Sequence, residues 1–255
     1  MDLGLQGKAV IITGGASGMG RAAVEGPAAE GAGVGLRDWN AETLAAAEAK
    51  IRATGAEVTR FQVDVASAAQ VEAAHDHVIA TFGGIDAAFN NAGVGSQFKP
   101  IEESTEEDWD RVLGINLKGI WLCVRAQVRH MKPRGAGSII CTASNVAFAG
   151  APGATPYVAA KHGIVGIVRT VALELATTGV RINGVAPGVI RTNIGTSKTT
   201  SDNNGGKTPF RNDPYPDAAI RKGLPIGRYG EAHEIADAVL WLASGRSSLA
   251  LGETL

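Results

Sequence analysis

Short apolar runs alternate with longer segments of helical spacing along most of the chain, and no other sequence feature restricts the fold as strongly. The runs occupy residues 9–12, 34–36, 58–63, 85–89, 138–141 and 180–185, and helical segments rich in alanine and glutamate, such as 41–53 and 68–82, separate them. Strands that alternate with helices form βαβ units, whose right-handed crossovers place helices on both faces of a parallel sheet. The sequence therefore predicts an α/β fold, a single domain over residues 1–255 with a doubly wound parallel sheet.

Composition agrees with a globular domain and argues against several other classes of protein. Apolar residues make up 45% of the chain and charged residues 19%, which is enough apolar surface for a buried core. The formal charge of −1 lacks the excess of cations typical of proteins that bind nucleic acid or anionic membranes. Cys123 and Cys141 do not have metal-ligand spacing, and neither a basic leader nor an apolar stretch of ~18 residues occurs. We expect a cytoplasmic protein without nucleic-acid, membrane or metal partners.

One stretch, residues 191–224, departs from the alternation. It is rich in threonine, serine, asparagine, glycine and proline, and it follows a predicted strand. Structureless stretches of this length are uncommon inside compact domains and are usually binding loops. We interpret the stretch as a substrate lid over the ligand crevice, and a disordered surface excursion is the alternative.

The first predicted strand runs into a glycine-rich turn, Thr13-Gly14-x-x-x-Gly18-x-Gly20, and then into a helix. Glycines permit a tight turn and a close backbone approach to a pyrophosphate, which the N-terminus of the following helix attracts. The spacing differs from the standard G-x-G-x-x-G, but its place between strand and helix indicates a dinucleotide site of the Rossmann type. A purely structural turn is the alternative.

Asp38 ends the second predicted strand about 20 residues after the glycine-rich turn. A carboxylate in that position accepts hydrogen bonds from the adenosine ribose and repels a 2′-phosphate. Because neighbouring side chains of a strand point to opposite faces, Arg37 is expected to point away from the ribose. The sequence therefore favours NAD over NADP, and the alternatives are a helix cap at Asp38 or an Arg37 that holds a 2′-phosphate.

Four polar residues in the second half of the chain suggest acid–base chemistry. Tyr157 and Lys161 are four residues apart on one face of a predicted helix, where a nearby ammonium would lower the pKa of the phenol. Ser144 follows a predicted strand, at the edge where ligands bind in such sheets. Each of these residues alone, and Asn116 in its helical segment, also fits a solvated helix face, a turn or a helix kink.

Together these motifs resemble the short-chain dehydrogenase/reductase family over nearly the whole chain. The matching motifs are Thr13-Gly14-x-x-x-Gly18-x-Gly20, Asn90-Asn91-Ala92-Gly93, Asn116, Ser144, Tyr157-x-x-x-Lys161 and Pro187-Gly188-Val189-Ile190-Arg191-Thr192. The resemblance implies that Tyr157 is the general acid/base and that Lys161 lowers its pKa and holds the nicotinamide ribose. It also implies that Ser144 polarises the substrate carbonyl and that Asn116 positions a water.

The same resemblance implies a set of residues that bind NAD. They are expected at Gly14, Ser17, Gly18, Met19 and Gly20 around the pyrophosphate, at Asp38, Asp64, Val65, Asn90, Ala92 and Gly93 around the adenosine, and at Tyr157, Lys161, Ile190 and Thr192 around the nicotinamide.

The activity that the resemblance implies is NAD-dependent hydride transfer between a secondary or cyclic alcohol and its ketone. Residues 95–98, 145–148 and the stretch 191–224 are expected to surround the substrate. A redox-sensing regulator that binds NAD(P) on the same fold is the alternative, although both Tyr157 and Lys161 are present.

The C-terminus departs from the family pattern. Members typically continue after a Thr-Gly with a strand and a Val-Asp-Gly-Gly segment, whereas this sequence ends at Leu251-Gly252-Glu253-Thr254-Leu255 and looks truncated. The missing tail often helps to build a tetramer interface. The resemblance therefore implies a homotetramer, with a dimer as the alternative.

Overall fold

The computed structural model describes residues 3–192 and 224–255. Six parallel strands form one sheet in the order β3-β2-β1-β4-β5-β6. They are β1 (Ala9–Thr13), β2 (Gly33–Asp38), β3 (Val58–Gln62), β4 (Ala87–Asn90), β5 (Gly137–Thr142) and β6 (Val180–Val185). This confirms the predicted doubly wound sheet. The strand order reverses between β1 and β4, so a crevice opens at their carboxyl ends.

Helices follow the strands and cover both faces of the sheet. They are α1 (Gly18–Ala29), α2 (Ala41–Arg52), α3 (Ala68–Phe82), α4 (Glu106–Leu113), α5 (Gly119–Arg134), α6 (Thr155–Leu175) and α7 (Ala232–Ala243), and a π-helical turn (Gly114–Lys118) joins α4 to α5. Local sequence fixes several of the ends. The Asn40 and Ser67 side chains accept hydrogen bonds from the first turns of α2 and α3, and Gly83 closes α3 with a φ of 80°.

Two apolar cores lie on opposite faces of the sheet. Val10 and Ile12 of β1 pack with α1, α2 and α7, whereas Ile11 packs with α3, α5 and α6. Every residue of β1 is buried, as expected for a strand covered on both sides. Each fully buried side chain of this size contributes about 1.5–3 kcal/mol, so the centre of the sheet stabilises the fold beneath the crevice.

Backbone pairing joins the start of the stretch interpreted as a lid to the chain a few residues beyond its end. Ile190 pairs with Gly230, and the Arg191 amide donates to the Gly230 carbonyl at 2.9 Å. Residues 193–223, which make up most of the stretch, lie outside the described residues.

The last residues of the chain run along β6. The Gly184 amide donates to the Glu253 carbonyl at 2.7 Å, and the Leu255 amide donates back to the Gly184 carbonyl at 3.1 Å. Among the helices of residues 3–192 and 224–255, none is long and apolar enough to cross a membrane.

Candidate active site

The glycine-rich turn lies between β1 and α1, at the mouth of the crevice. Gly14 and Gly18 have φ values of 65° and 53°, a region that other residues rarely adopt. Gly20 has no such φ, but a Cβ there would overlap the Gly14 carbonyl oxygen and lie 2.6 Å from Asn91 Nδ2. Glycine is therefore required for conformation at two positions and for space at the third.

The N-terminus of α1 presents backbone N–H groups to the crevice. The Ser17 side chain makes no capping hydrogen bond, and the first turn, which includes Met19, contains no acidic residue. The open N–H groups and the helix dipole suit an anion such as a pyrophosphate. Thr192, beyond β6, lies against this turn, because a Cβ on Gly18 would be 3.4 Å from its Cβ.

Asp38 joins the end of β2 to the glycine-rich turn. Its Oδ2 accepts a hydrogen bond from the Ala16 amide at 3.1 Å, and its Oδ1 accepts one from the Asn40 amide at 3.2 Å. The cap of α2 is Asn40, which accepts from Thr43. The alternative in which Asp38 caps that helix is therefore wrong.

Arg37 points to the opposite face of β2 and is fully buried. Its Nε and Nη2 donate to the Ala74 carbonyl at 3.2 and 3.0 Å, and its Nη1 donates to the Leu36 carbonyl at 2.6 Å. Burial lowers the pKa of this guanidinium to about 9. The alternative in which Arg37 holds a 2′-phosphate is wrong, because the side chain lies beneath α3.

The residues expected beside the adenosine have different surroundings. Asp64 is exposed just beyond β3, and its Oδ1 accepts from the Ala66 amide at 2.9 Å. Val65 is buried against the start of α5, where a Cβ on Gly119 would lie 2.8 Å from its Cγ2. The Asp64 side chain is accessible to a ligand, whereas Val65 mainly packs against α5.

Residues 91–93, directly after β4, are held against β1 by the hydroxyl of Thr13. Thr13 Oγ1 accepts hydrogen bonds from the amides of Asn91 at 3.0 Å and Ala92 at 3.1 Å. A Cβ on Gly93 would lie 3.2 Å from Asn116 Oδ1. Close packing therefore keeps the backbone of these residues beside the glycine-rich turn.

Ser144, Tyr157 and Lys161 come together at the carboxyl end of β5. Ser144 follows that strand, and the other two lie at the start of α6. Ser144 lies close enough to the Tyr157 hydroxyl to affect its pKa, and Ser144 Oγ donates to Asn145 Oδ1 at 3.1 Å. Lys161 Nζ lies 5.4 Å from the centroid of the Tyr157 ring and donates to the Thr142 carbonyl at 2.7 Å. A phenol, a hydroxyl and an ammonium thus share one site beside the crevice.

Burial determines the pKa values in this site. It raises the pKa of Tyr157 above its ordinary value, although the nearby Ser144 side chain opposes the rise. It also lowers the pKa of Lys161 to about 8. The sequence-based expectation of a lowered phenol pKa is wrong for this arrangement, because burial outweighs an ammonium that bonds to Thr142 instead of the phenol.

Comparison with known proteins identifies the family. A family model described as short chain dehydrogenase matches residues 8–203. The chain belongs to the short-chain dehydrogenase family. It is accordingly an oxidoreductase that acts on CH–OH groups.

Relatives of this short-chain dehydrogenase cover almost its whole length. The 2,5-dichloro-2,5-cyclohexadiene-1,4-diol dehydrogenase of Sphingobium indicum is 38% identical over 252 residues, 98% of this chain and 95% of the relative. The cyclohexanol dehydrogenase of an Acinetobacter species is 33% identical over 245 residues, 96% and 91% of the two chains. The crystal structure of levodione reductase superposes with a TM-score of 0.88 at 37% identity, covering 98% of this chain and 95% of the other. These names describe enzymes and give no support to the regulator alternative.

Asn90 of this short-chain dehydrogenase does not turn its side chain to the crevice. It is buried, and its amide exchanges two hydrogen bonds of 2.8 Å with the amide of Gln127 in α5. Gln127 Nε2 also donates to His75 Nε2 at 3.2 Å, and His75 Nδ1 donates to the Val71 carbonyl at 2.7 Å. The Asn90 side chain is therefore engaged inside the protein, and its backbone remains available for the predicted contact with the coenzyme.

Asn116 lies in the π-helical turn and is fully buried. Its Oδ1 accepts from the Val94 amide and its Nδ2 donates to the Val94 carbonyl, both at 2.8 Å. The irregular turn agrees with the helix kink that the sequence left open. The side chain is engaged with Val94, the first residue of the segment after β4, which spans residues 94–99. Its direct role in this arrangement is therefore to hold that segment.

Proposed function

We propose that this enzyme transfers a hydride between NAD and a secondary or cyclic alcohol, with Tyr157 as the general acid/base. One observation carries the proposal: Ser144, Tyr157 and Lys161 lie together beside a glycine-rich turn, at the place where the strand order of the sheet reverses. Ligands of doubly wound sheets bind at this place. Tyrosine, serine and lysine supply a proton donor, a hydrogen-bond donor and a positive charge.

The coenzyme site fits the residues that surround it. The cradle needs glycine for its backbone conformation at Gly14 and Gly18 and for lack of space at Gly20, and it suits a pyrophosphate, as do the open N–H groups from Ser17 onwards. Asp38 would accept hydrogen bonds from the ribose, and its charge disfavours a 2′-phosphate. When bound, NAD supplies the acceptor for the hydride that leaves the alcohol carbon.

The remaining coenzyme contacts are assigned by position. Ala92 and Gly93 are expected beside the adenosine, because their backbone lies close to β1. The exposed side chain of Asp64 is expected beside the adenine. Thr192, packed against Gly18, and Ile190 would bind the carboxamide.

The chain's own residues move the proton. The Tyr157 phenolate takes the proton of the alcohol as the hydride leaves and becomes the neutral phenol, and Ser144 holds the substrate oxygen by a hydrogen bond. Because burial raises the pKa of Tyr157, the phenolate needs a nearby cation, and the buried ammonium of Lys161 is suited to that role. Asn116 contributes by holding the segment after β4.

Two observations support a ring alcohol or diol as the substrate. The names of two relatives specify a cyclohexadienediol and cyclohexanol. Phe148, close after Ser144, leaves 55% of its surface exposed and offers an apolar contact for a ring. Phe98 lies in the segment after β4, and Phe210 lies outside the described residues.

We also propose a homotetramer. Large apolar side chains that are at least 39% exposed, Trp109 on α4, Trp121 on α5 and Trp241 on α7, support burial against other copies. Light scattering after size exclusion tests this assembly, and a monomer would contradict it.

The test of the activity is a spectrophotometric screen of cyclohexanol, cyclic diols and small acyclic secondary alcohols with NAD and NADP in parallel. We expect the absorbance of reduced coenzyme to grow fastest with NAD and a ring alcohol. A preference for NADP would overturn the role of Asp38. Tight coenzyme binding without turnover of any alcohol or ketone would instead favour the redox-sensing regulator.

A further inference from the structure

The buried carboxylate of Asp108, on α4, binds the segment after β4, which spans residues 94–99. Asp108 Oδ2 accepts hydrogen bonds from Ser96 Oγ at 2.9 Å and from the Gln97 amide at 3.2 Å. Asp108 is only 4% exposed, so this carboxylate gives up nearly all of its hydration for these partners.

Arg111, the counterion of Asp108, binds the same segment. Arg111 Nη2 donates to Asp108 Oδ1 at 2.6 Å and to the Gly95 carbonyl at 2.9 Å. Asn116 holds Val94 by both polar atoms of its amide, as described above. Three side chains from α4 and the π-helical turn thus fix the backbone of residues 94–97.

The far end of the segment rests on the loop that leads into α6. The Lys99 amide donates to the Gly153 carbonyl at 2.9 Å. Gly153 has a φ of 79°, and a Cβ there would lie 3.3 Å from the Lys99 nitrogen and from the Phe98 carbonyl carbon. Since α6 begins at Thr155, segment 94–99 connects α4 to the backbone just before Tyr157.

The electrostatics agree with a permanently charged anchor. Burial alone would raise the pKa of Asp108, but hydrogen bonds from Arg111, Gln97 and Ser96 hold it below its ordinary value. The donors that surround this carboxylate are therefore matched to its ionised form.

We propose that Asp108 is a positioning residue for substrate selection, because it fixes segment 94–99 between α4 and the loop that leads into α6 just before Tyr157. The segment follows residues 91–93 at the crevice and ends against the loop before α6, so it borders the space above the reacting groups. A displaced segment changes the fit of a large ring more than that of a small alcohol. The proposal rests on the proposed function, and it concerns the substrate side of the crevice, not the coenzyme side.

The kinetic test compares Asp108→Asn with Asp110→Asn, a matched change at an exposed carboxylate of the same helix. Asp108→Asn should lower kcat/KM for a ring alcohol by about tenfold to a hundredfold, mainly through KM. The KM for NAD and the kcat for a small acyclic alcohol should stay within about twofold, since neither depends on segment 94–99. Asp110→Asn should match the wild type. An equal loss for all substrates, or an unchanged KM for the ring alcohol, would overturn the proposal.

Two further measurements keep the test decisive. Ser96→Ala removes one donor without leaving a charge unpaired, so it should fold even where Asp108→Asn does not, and it should raise the same KM by a few-fold; an unchanged KM would count against the proposal. Hydrogen–deuterium exchange needs no substrate. In the variants it should be faster at residues 94–99 and 150–154, the segment and the loop before α6, than in the wild type, and unchanged exchange there would contradict the anchor. A wild type without turnover would count against the proposed function alone, because the exchange result still decides the role of Asp108.

Discussion

The two halves of the crevice are built by opposite means. At the coenzyme half, where β1 and β2 end, close contact depends on missing side chains, because a Cβ on Gly14 would crowd Asn91 and a Cβ on Gly20 would overlap the Gly14 carbonyl. At the catalytic half, where β4 and β5 end, side chains are buried and bonded to backbone groups. Lys161 donates to Thr142, and Asn116 binds both polar groups of Val94.

This difference separates two kinds of sensitivity. A site that depends on the absence of side chains is damaged when a substitution adds one carbon atom, and it does not respond to pH. A site made of buried polar groups tolerates changes of shape better, but it loses stability or activity when a partner or a proton is removed. The catalytic half should therefore respond most to changes of charge and hydrogen bonding, and the coenzyme half to changes of volume.

The largest effect is expected from Tyr157→Phe, which removes only a hydroxyl from the catalytic half. Turnover should fall by about a hundredfold to ten-thousandfold, because the general acid/base is lost. The affinity for NAD, measured by fluorescence titration, should change little. The matched control is Tyr229→Phe, whose ring keeps its contact with Arg191. Turnover close to wild type in Tyr157→Phe would remove the phenol from the mechanism.

A comparably severe change in the coenzyme half is Gly20→Ala. The added Cβ meets the Gly14 carbonyl, which is backbone and cannot turn aside. The free energy of unfolding should fall by about 1–3 kcal/mol, and NAD should bind at least about tenfold more weakly. Denaturant unfolding and NAD titration measure both quantities.

The control for this change is Gly166→Ala in α6, because Gly166 also lies in a helix and a Cβ there meets nothing within 4 Å. It should be neutral or slightly stabilising. Equal behaviour of the two alanine variants would show that the coenzyme half does not depend on space.

The coenzyme half could be predicted from sequence because its determinants are local. The spacing of Gly14, Gly18 and Gly20 after an apolar run predicts the turn, and strand alternation predicts that Arg37 and Asp38 point to opposite faces. Both inferences need only neighbouring residues and the geometry of a strand. The fold follows in the same way, from periods of hydrophobicity within each segment.

The catalytic half could be predicted only in part, because its environment comes from distant residues. Motifs locate Ser144, Tyr157 and Lys161, but the pKa of Tyr157 depends on burial by several elements. Asn90 bonds with Gln127, which lies in another helix and has no distinctive local signal. Asp108 likewise looks like an ordinary acidic residue of a helix start until the fold brings Ser96 beneath it.

A smaller effect is expected on the selectivity of the coenzyme half for NAD over NADP, and it tests whether charge matters there as well as volume. Asp38→Asn keeps the shape of the side chain and removes its charge. The ratio of kcat/KM with NAD to that with NADP should fall by about tenfold, since a charged hydrogen bond contributes about 1.5–3 kcal/mol and the repulsion of a 2′-phosphate is also lost. An unchanged ratio would mean that Asp38 only joins β2 to the glycine-rich turn.

The smallest effect concerns pH and the buried amide network beneath the catalytic half. His75 donates through Nδ1 to Val71 and accepts at Nε2 from Gln127, so the ring is neutral, and burial lowers its pKa below 6.5 despite the bond to Val71. Below pH 6.5 the unfolded chain binds a proton that the folded chain does not. The stability that His75 contributes is thus present above this pH and is lost as pH falls towards the lowered pKa.

In unfolding titrations, His75→Gln should flatten this acid limb, whose slope for one proton is about 1.4 kcal/mol per pH unit. The matched control is His162→Gln. His162 has the same Nδ1 contact, to the carbonyl of Val158 four residues earlier, but it is exposed. Because the Nδ1 contact is the same, and of the two only His75 is also buried and bonded to Gln127, the control should keep the wild-type slope. If both variants flatten the limb equally, the pH dependence does not come from the buried network. The expectation that the catalytic half responds to the loss or gain of a proton would then be contradicted.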